Sequence, residues 1–83
     1  MTFEQTIEQA IEAISREREF AQSSNRPISC DCMNNIADQL ARHEQAKHLV
    51  PSIRDHQRRA SFPMELAKNI QTALEDITLF SKS

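Results

Sequence analysis

The chain has 83 residues, with ten Lys and Arg against twelve Asp and Glu, which gives a formal net charge of −2. It contains no Gly, which excludes Gly-rich phosphate loops, nucleophile elbows and tight hairpin turns and favours an all-helical chain. No apolar run approaches the roughly 20 residues of a membrane span, so we expect one small cytoplasmic domain over residues 1–83.

The first predicted helix covers residues 3–22. Thr2 followed by Gln5 is a capping-box pattern, in which the hydroxyl and the amide each bond the other residue's backbone N–H. Apolar residues recur at three- and four-residue steps and form one stripe: Phe3, Ile7, Ala10, Ile14 and Ala21. The opposite shoulder carries an acidic strip of Glu4, Glu8 and Glu12. This strip is either a solvated face or a surface that docks on a basic one, in this chain's middle segment or in another protein.

The second predicted helix covers residues 30–49, with Ser29 as its N-cap. Its apolar stripe begins with Cys32, Met33, Ile36, Ala37 and Leu40. On the same face the next residues are His43, Lys47 and Val50, so the face turns polar in its second half. Pro51 is expected to end the helix, because proline disfavours the helical conformation in the residue before it.

A short helix is predicted over residues 52–60. Its one large apolar side chain is Ile53, which the rest of the chain is expected to have little means to bury. We therefore expect this segment to face solvent or a partner.

The last predicted helix covers residues 62–80, with Ser61 as its cap. Its apolar seam comprises Phe62, Leu66, Ile70, Ala73, Ile77 and Phe80, with Leu74 on the flank. These helices predict an all-α fold, a small three-helix bundle with one short additional helix and coiled-coil-like packing. Pairing two chains would enlarge the thin core, so we expect a homodimer. The residues expected to form the core and dimer seam are Phe3, Ile7, Ile14, Leu66, Ile70, Ile77 and Phe80.

Metal and catalytic chemistry are not indicated. Cys30, Cys32, His43 and His48 are zinc-ligand residue types, but Cys32 and His43 would lie roughly 16 Å apart along one helix, whereas zinc ligands converge on one ion. No nucleophile lies at an evident spacing from a base, and no pair of carboxylates is framed for acid–base work. We therefore predict no metal, no cofactor, no catalytic residue and no enzyme activity.

The middle of the chain is basic, because residues 42–59 hold five basic against two acidic residues and all three histidines. The residues expected to contact a partner are His43, Lys47, Arg54, Arg58 and Arg59. We interpret the chain as a small α-helical interaction protein, an adaptor, inhibitor or regulator that covers an acidic surface on a larger protein. A phage or mobile-element accessory protein is one class that fits the size. The alternative is a nucleic-acid-binding regulator using residues 42–59, although the net negative charge and the lack of interleaved aromatic residues count against it.

Overall fold

The computed structural model describes residues 2–56 and 62–82, and for residues 80–82 it describes the backbone alone. The regular elements within these ranges are helices, which confirms the predicted all-helical fold. In chain order they are α1 (Phe3–Ser23), α2 (Cys30–Leu40), a 3₁₀ helix (Lys47–Leu49), α3 (Val50–Arg54) and α4 (Met64–Lys82). In the described part of the chain, β-type pairing is confined to an isolated antiparallel bridge between Ile28 and Phe62.

Local sequence signals set where α1 and α2 begin. The Thr2 hydroxyl accepts from the Gln5 N–H, and the Gln5 side chain accepts from the Thr2 N–H, both at 3.2 Å. The Ser29 side chain likewise accepts from the Cys32 N–H at the start of α2. These bonds satisfy helix N–H groups that lack an intrahelical acceptor, so both predicted caps are confirmed.

Helix α2 is shorter than predicted, because it ends at Leu40 and not at residue 49. The chain then turns: the His43 N–H donates to the Leu40 carbonyl, and the Ala46 N–H donates to the His43 carbonyl. A continuous helix would have aligned Lys47 with the apolar stripe. The turn leaves Lys47 exposed and buries Ala46 instead.

The expectation that Ile53 has no place in the core is wrong. Its side chain is only 1% exposed, and Val50, on the same short helix, is 7% exposed. Helix α3 packs on α2 and covers Ile53, with Pro51 in its first turn, where the missing N–H costs nothing. The predicted short helix at 52–60 is therefore displaced to Val50–Arg54, and residues 57–60 lie outside the described ranges.

Helix α4 begins at Met64, after Pro63, and not at residue 62. The most buried residues of α4 are Ala67, Ile70 and Leu74. The buried side of α4 is therefore rotated from the predicted seam toward Leu74, which the sequence predicts only as a flank. Leu66 and Ile77 are only partly buried against the core. The side chain of Phe80 and the predicted cap Ser61 lie outside the described residues.

Helix α1 packs against both α2 and α4 and lies antiparallel to each. Toward α4, Arg18 Nη1 donates to Gln71 Oε1 at 2.7 Å. Toward α2, the N–H of Ser29, which caps the start of α2, donates to Glu17 Oε1 near the end of α1 at 2.9 Å. At the opposite end, Thr6 of α1 and Gln39 of α2 line the same cleft. The core therefore forms within one chain and includes the predicted seam residues Ile7, Ile14 and Ile70, none more than 2% exposed. These three residues are therefore not available to a second chain, whereas Phe3, Leu66 and Ile77 of the predicted seam are only partly buried.

We predict that Ile70→Asp unfolds the protein, because it places an unpaired carboxylate in the core at a cost of several kcal/mol, close to the whole stability of so small a domain. The matched control is Thr72→Asp, the same new side chain at an exposed position of α4. Circular dichroism melts should show a lost transition for Ile70→Asp and a nearly unchanged midpoint for Thr72→Asp. Equal melting of the two variants would contradict the core described above.

Candidate functional site

A cleft opens where the start of α1 meets the end of α2. Its lining residues are Thr6, Gln39, Arg42 and His43, and its volume is about 280 Å³. The His43 imidazole is half-buried and packs on the Phe3 ring, with the ring centroids 5.1 Å apart at an interplanar angle of 58°. The turn after Leu40 creates this arrangement, because it carries Arg42 and His43 across the end of the bundle.

The segment that follows α2 carries three cationic side chains that are open to solvent, Arg42, Lys47 and Arg54. Arg42 and Lys47 are exposed, and within the described ranges neither has a carboxylate at ion-pair distance. Arg54 Nη2 lies 3.2 Å from Asp38 Oδ1, which holds Arg54 near the turn of α2 that precedes Arg42. Both side chains of this pair are more than half exposed, so its contribution to folding is small.

We call Arg42, His43, Lys47 and Arg54 the basic face. Of the residues predicted to bind a partner, His43 lines the cleft, Lys47 is exposed and Arg54 pairs with Asp38. Arg58 and Arg59 lie outside the described residues. Thr6 and Gln39 were not predicted as site residues, and Arg42 was included only through the basic segment 42–59 of the nucleic-acid alternative. Thr6 was the one detectable signal, because it is a polar residue adjoining the apolar stripe of α1 and is only 4% exposed.

The cysteines lie at the other end of the bundle from the cleft. The Cys30 thiol contacts the His56 carbonyl oxygen, with 3.8 Å between sulfur and oxygen, and Cys32 is half-buried near Glu17. Burial, and to a lesser extent the negative charge of Glu17, raise the pKa of the Cys32 thiol above its ordinary value. Cys32 is therefore a poor nucleophile at neutral pH.

Within residues 2–56 and 62–82, no three side chains of His, Cys, Asp or Glu gather as ligands for one metal ion. Among the helices described, none combines the length and the apolarity needed to cross a bilayer.

Comparison with known proteins adds no assignment: no family model, no curated protein and no solved structure matches this chain significantly.

The environment of Cys32 can be tested by alkylation. In a Cys30→Ser background we predict that Glu17→Gln lowers the pKa of Cys32, because it removes the charge that opposes the thiolate while its amide oxygen can still accept from Ser29. The pKa should remain above that of an unfolded peptide, because burial is the larger cause. The measurement is the rate of iodoacetamide modification against pH, with the exposed Glu19→Gln as control. If Glu17→Gln leaves the pH dependence of the modification rate unchanged, the predicted influence of Glu17 on Cys32 is wrong.

Proposed function

We propose that this chain is a protein-interaction module, an adaptor, inhibitor or regulator, that binds an acidic surface on a larger protein through its basic face. The observation that carries the proposal is Arg42, an exposed guanidinium with no carboxylate partner among the described residues, at the edge of a cleft of about 280 Å³. A guanidinium can donate two parallel hydrogen bonds to one carboxylate, which gives both affinity and orientation.

The size and lining of the cleft support a side chain of a protein as its occupant. Its volume lies at or below the lower end of the range for small-molecule and cofactor sites, about 300 to 1,000 Å³. The polar groups at its wall include the Arg42 guanidinium and the Gln39 amide, which donate hydrogen bonds, and the His43 imidazole, which can donate as well. An acidic side chain supplies acceptors for these donors, while the His43 ring offers an apolar surface to its methylene groups.

The arrangement of charges favours a protein over nucleic acid. Glu44 and Asp55 are exposed within the same segment, and Arg54 is paired with Asp38. Phosphate binding draws affinity from many cations acting together, and carboxylates interspersed among them reduce that attraction. On a protein partner, by contrast, each carboxylate can pair with a single cation of the basic face.

The test starts from a tagged full chain, used to capture proteins that are then identified by mass spectrometry. The captured protein is purified, and its binding is measured by calorimetry with the wild type and with Arg42→Glu combined with Lys47→Glu. We expect the double variant to weaken binding by about tenfold or more, because two attractive contacts become repulsive. The control is Arg26→Glu with Lys68→Glu, which makes the same change in net charge at exposed positions away from the cleft.

Binding measurements on the same variants distinguish a protein partner from nucleic acid. A moderate loss of affinity with added salt and a normal melting transition of the double variant would support the proposal. Equal binding by the double variant and its control would overturn it. Tight binding to random-sequence duplex DNA, with a steep linear fall of log affinity against log salt concentration, would assign the basic face to nucleic acid.

A further inference from the structure

A second groove runs between α1 and α4. It is lined by Ile11, Glu75, Thr78 and Leu79 and has a volume of about 300 Å³. Leu79 is 67% exposed, whereas Phe20, the other large apolar side chain that is exposed in the described part of the chain, lies beneath the Arg26 guanidinium. Leu79 therefore combines a large apolar surface with an adjoining concave site.

The rim of this groove is acidic. Glu75 belongs to its lining, and Glu8 lies three residues before Ile11, on the same side of α1. Glu4 extends the acidic strip by one more turn. All three are exposed, and none of them has a cationic partner at ion-pair distance in the ranges that the structure describes. The strip thus does not dock on the described part of this chain's own basic segment.

The complementary surface is the basic face of the same protein. Thr6 lines the cleft and Ile11 lines the groove, and these residues are five positions apart on α1. That spacing separates them by about 140° around the helix and about 7.5 Å along it. The groove and the cleft therefore lie on either side of the buried stripe of α1, one toward α4 and one toward α2, and both lie toward the same end of the bundle.

We propose that the α1–α4 groove binds a second copy of this chain. Glu8 and Glu75 of one copy face Arg42 and Lys47 of the partner subunit, and the contact covers Leu79. Because each copy carries both surfaces toward the same end of the bundle, two copies can meet end to end in two equivalent contacts. Such a reciprocal pair closes on itself and does not continue into a filament.

The pair has a regulatory consequence, which rests on the proposed function. Self-association covers Arg42 and Lys47, so a second copy and the larger acidic protein compete for one basic face. The chain is then available to its partner only as a monomer, and its total concentration sets the available fraction.

Charge exchange tests the pair by sedimentation equilibrium. A groove variant carries Glu8→Arg with Glu75→Arg, and a face variant carries Arg42→Glu with Lys47→Glu. Each alone sets like charges against each other, so its dimer dissociation constant should rise by about tenfold or more. An equimolar mixture should restore association as a heterodimer. At one contact the basic groove of the groove variant meets the acidic face of the face variant, and at the other the unchanged basic face of the former meets the unchanged acidic groove of the latter.

Two further variants test the apolar contact and control for the reversal of charge. Leu79→Ser removes an exposed apolar side chain, so it should weaken the dimer without lowering the melting temperature. Glu19→Arg reverses an exposed charge at the far end of α1 and should leave association unchanged. Circular dichroism establishes that each variant is folded.

The outcomes separate this proposal from the proposed function. A wild type that remains monomeric at several hundred micromolar overturns the pair, as does a mixture of the two variants that fails to associate. Capture of a different, basic protein by the groove of a monomeric wild type overturns it as well. Partner binding is measured separately on the groove variant, whose basic face is intact, so loss of the dimer leaves the proposed function standing. Failure of the partner experiment likewise leaves the sedimentation result valid.

Discussion

Burial of Ile53 against α2 is the constraint on which the candidate site depends. For Ile53 to reach the core, the chain has to reverse direction after Leu40, and Ala46 and Val50 become buried along the way. The reversal carries Arg42 and His43 across the end of α2, where they form the wall of the cleft. Had α2 continued, Lys47 would have faced the core, and no cleft would have formed at this end.

The opposite end of the bundle is closed by contacts among three connecting segments. The Phe62 N–H donates to the Ile28 carbonyl, and the Phe62 ring meets the His56 ring in a T-shaped contact at 5.5 Å. The Cys30 thiol contacts the His56 carbonyl oxygen, so the starts of α2 and α4 are tied to the end of α3. With this end fixed, the cleft and the groove both lie along the first half of α1, away from the tied segments.

The sequence predicted those features that depend on neighbouring residues. Caps at Thr2 and Ser29 are local hydrogen bonds, and the stripe on α1 is a helical repeat, so both were recognisable. The end of α2 at Leu40 was not recognisable, because no Gly or Pro marks it. Its cause is the burial of Ile53, which lies later in the chain. Tertiary packing also decides which side of an amphipathic helix is innermost.

The rotation of α4 and the incomplete site have the same origin. The apolar pattern of α4 favoured Leu66 as a seam residue and Leu74 as a flank, whereas packing buries Leu74 fully and Leu66 only partly. Of the cleft residues, His43 was predicted because an apolar stripe led to it. Thr6 and Gln39 were not, since they come from two helices whose meeting the sequence does not encode locally.

The ion pairs among the described residues contribute little to folding, which bears on what the exposed charges are for. The ion pairs found in the described ranges, Arg16 with Glu12 and Arg54 with Asp38, join side chains that are all more than half exposed. Such pairs add at most about 1 kcal/mol each and are screened by salt. Arg42 and Lys47, which follow α2, and Glu8 and Glu75, at the groove between α1 and α4, belong to neither pair. Exposed charges without an ion-pair partner add little to the fold, yet they remain available to an oppositely charged surface. The stability is supplied by the apolar core, which forms within one chain.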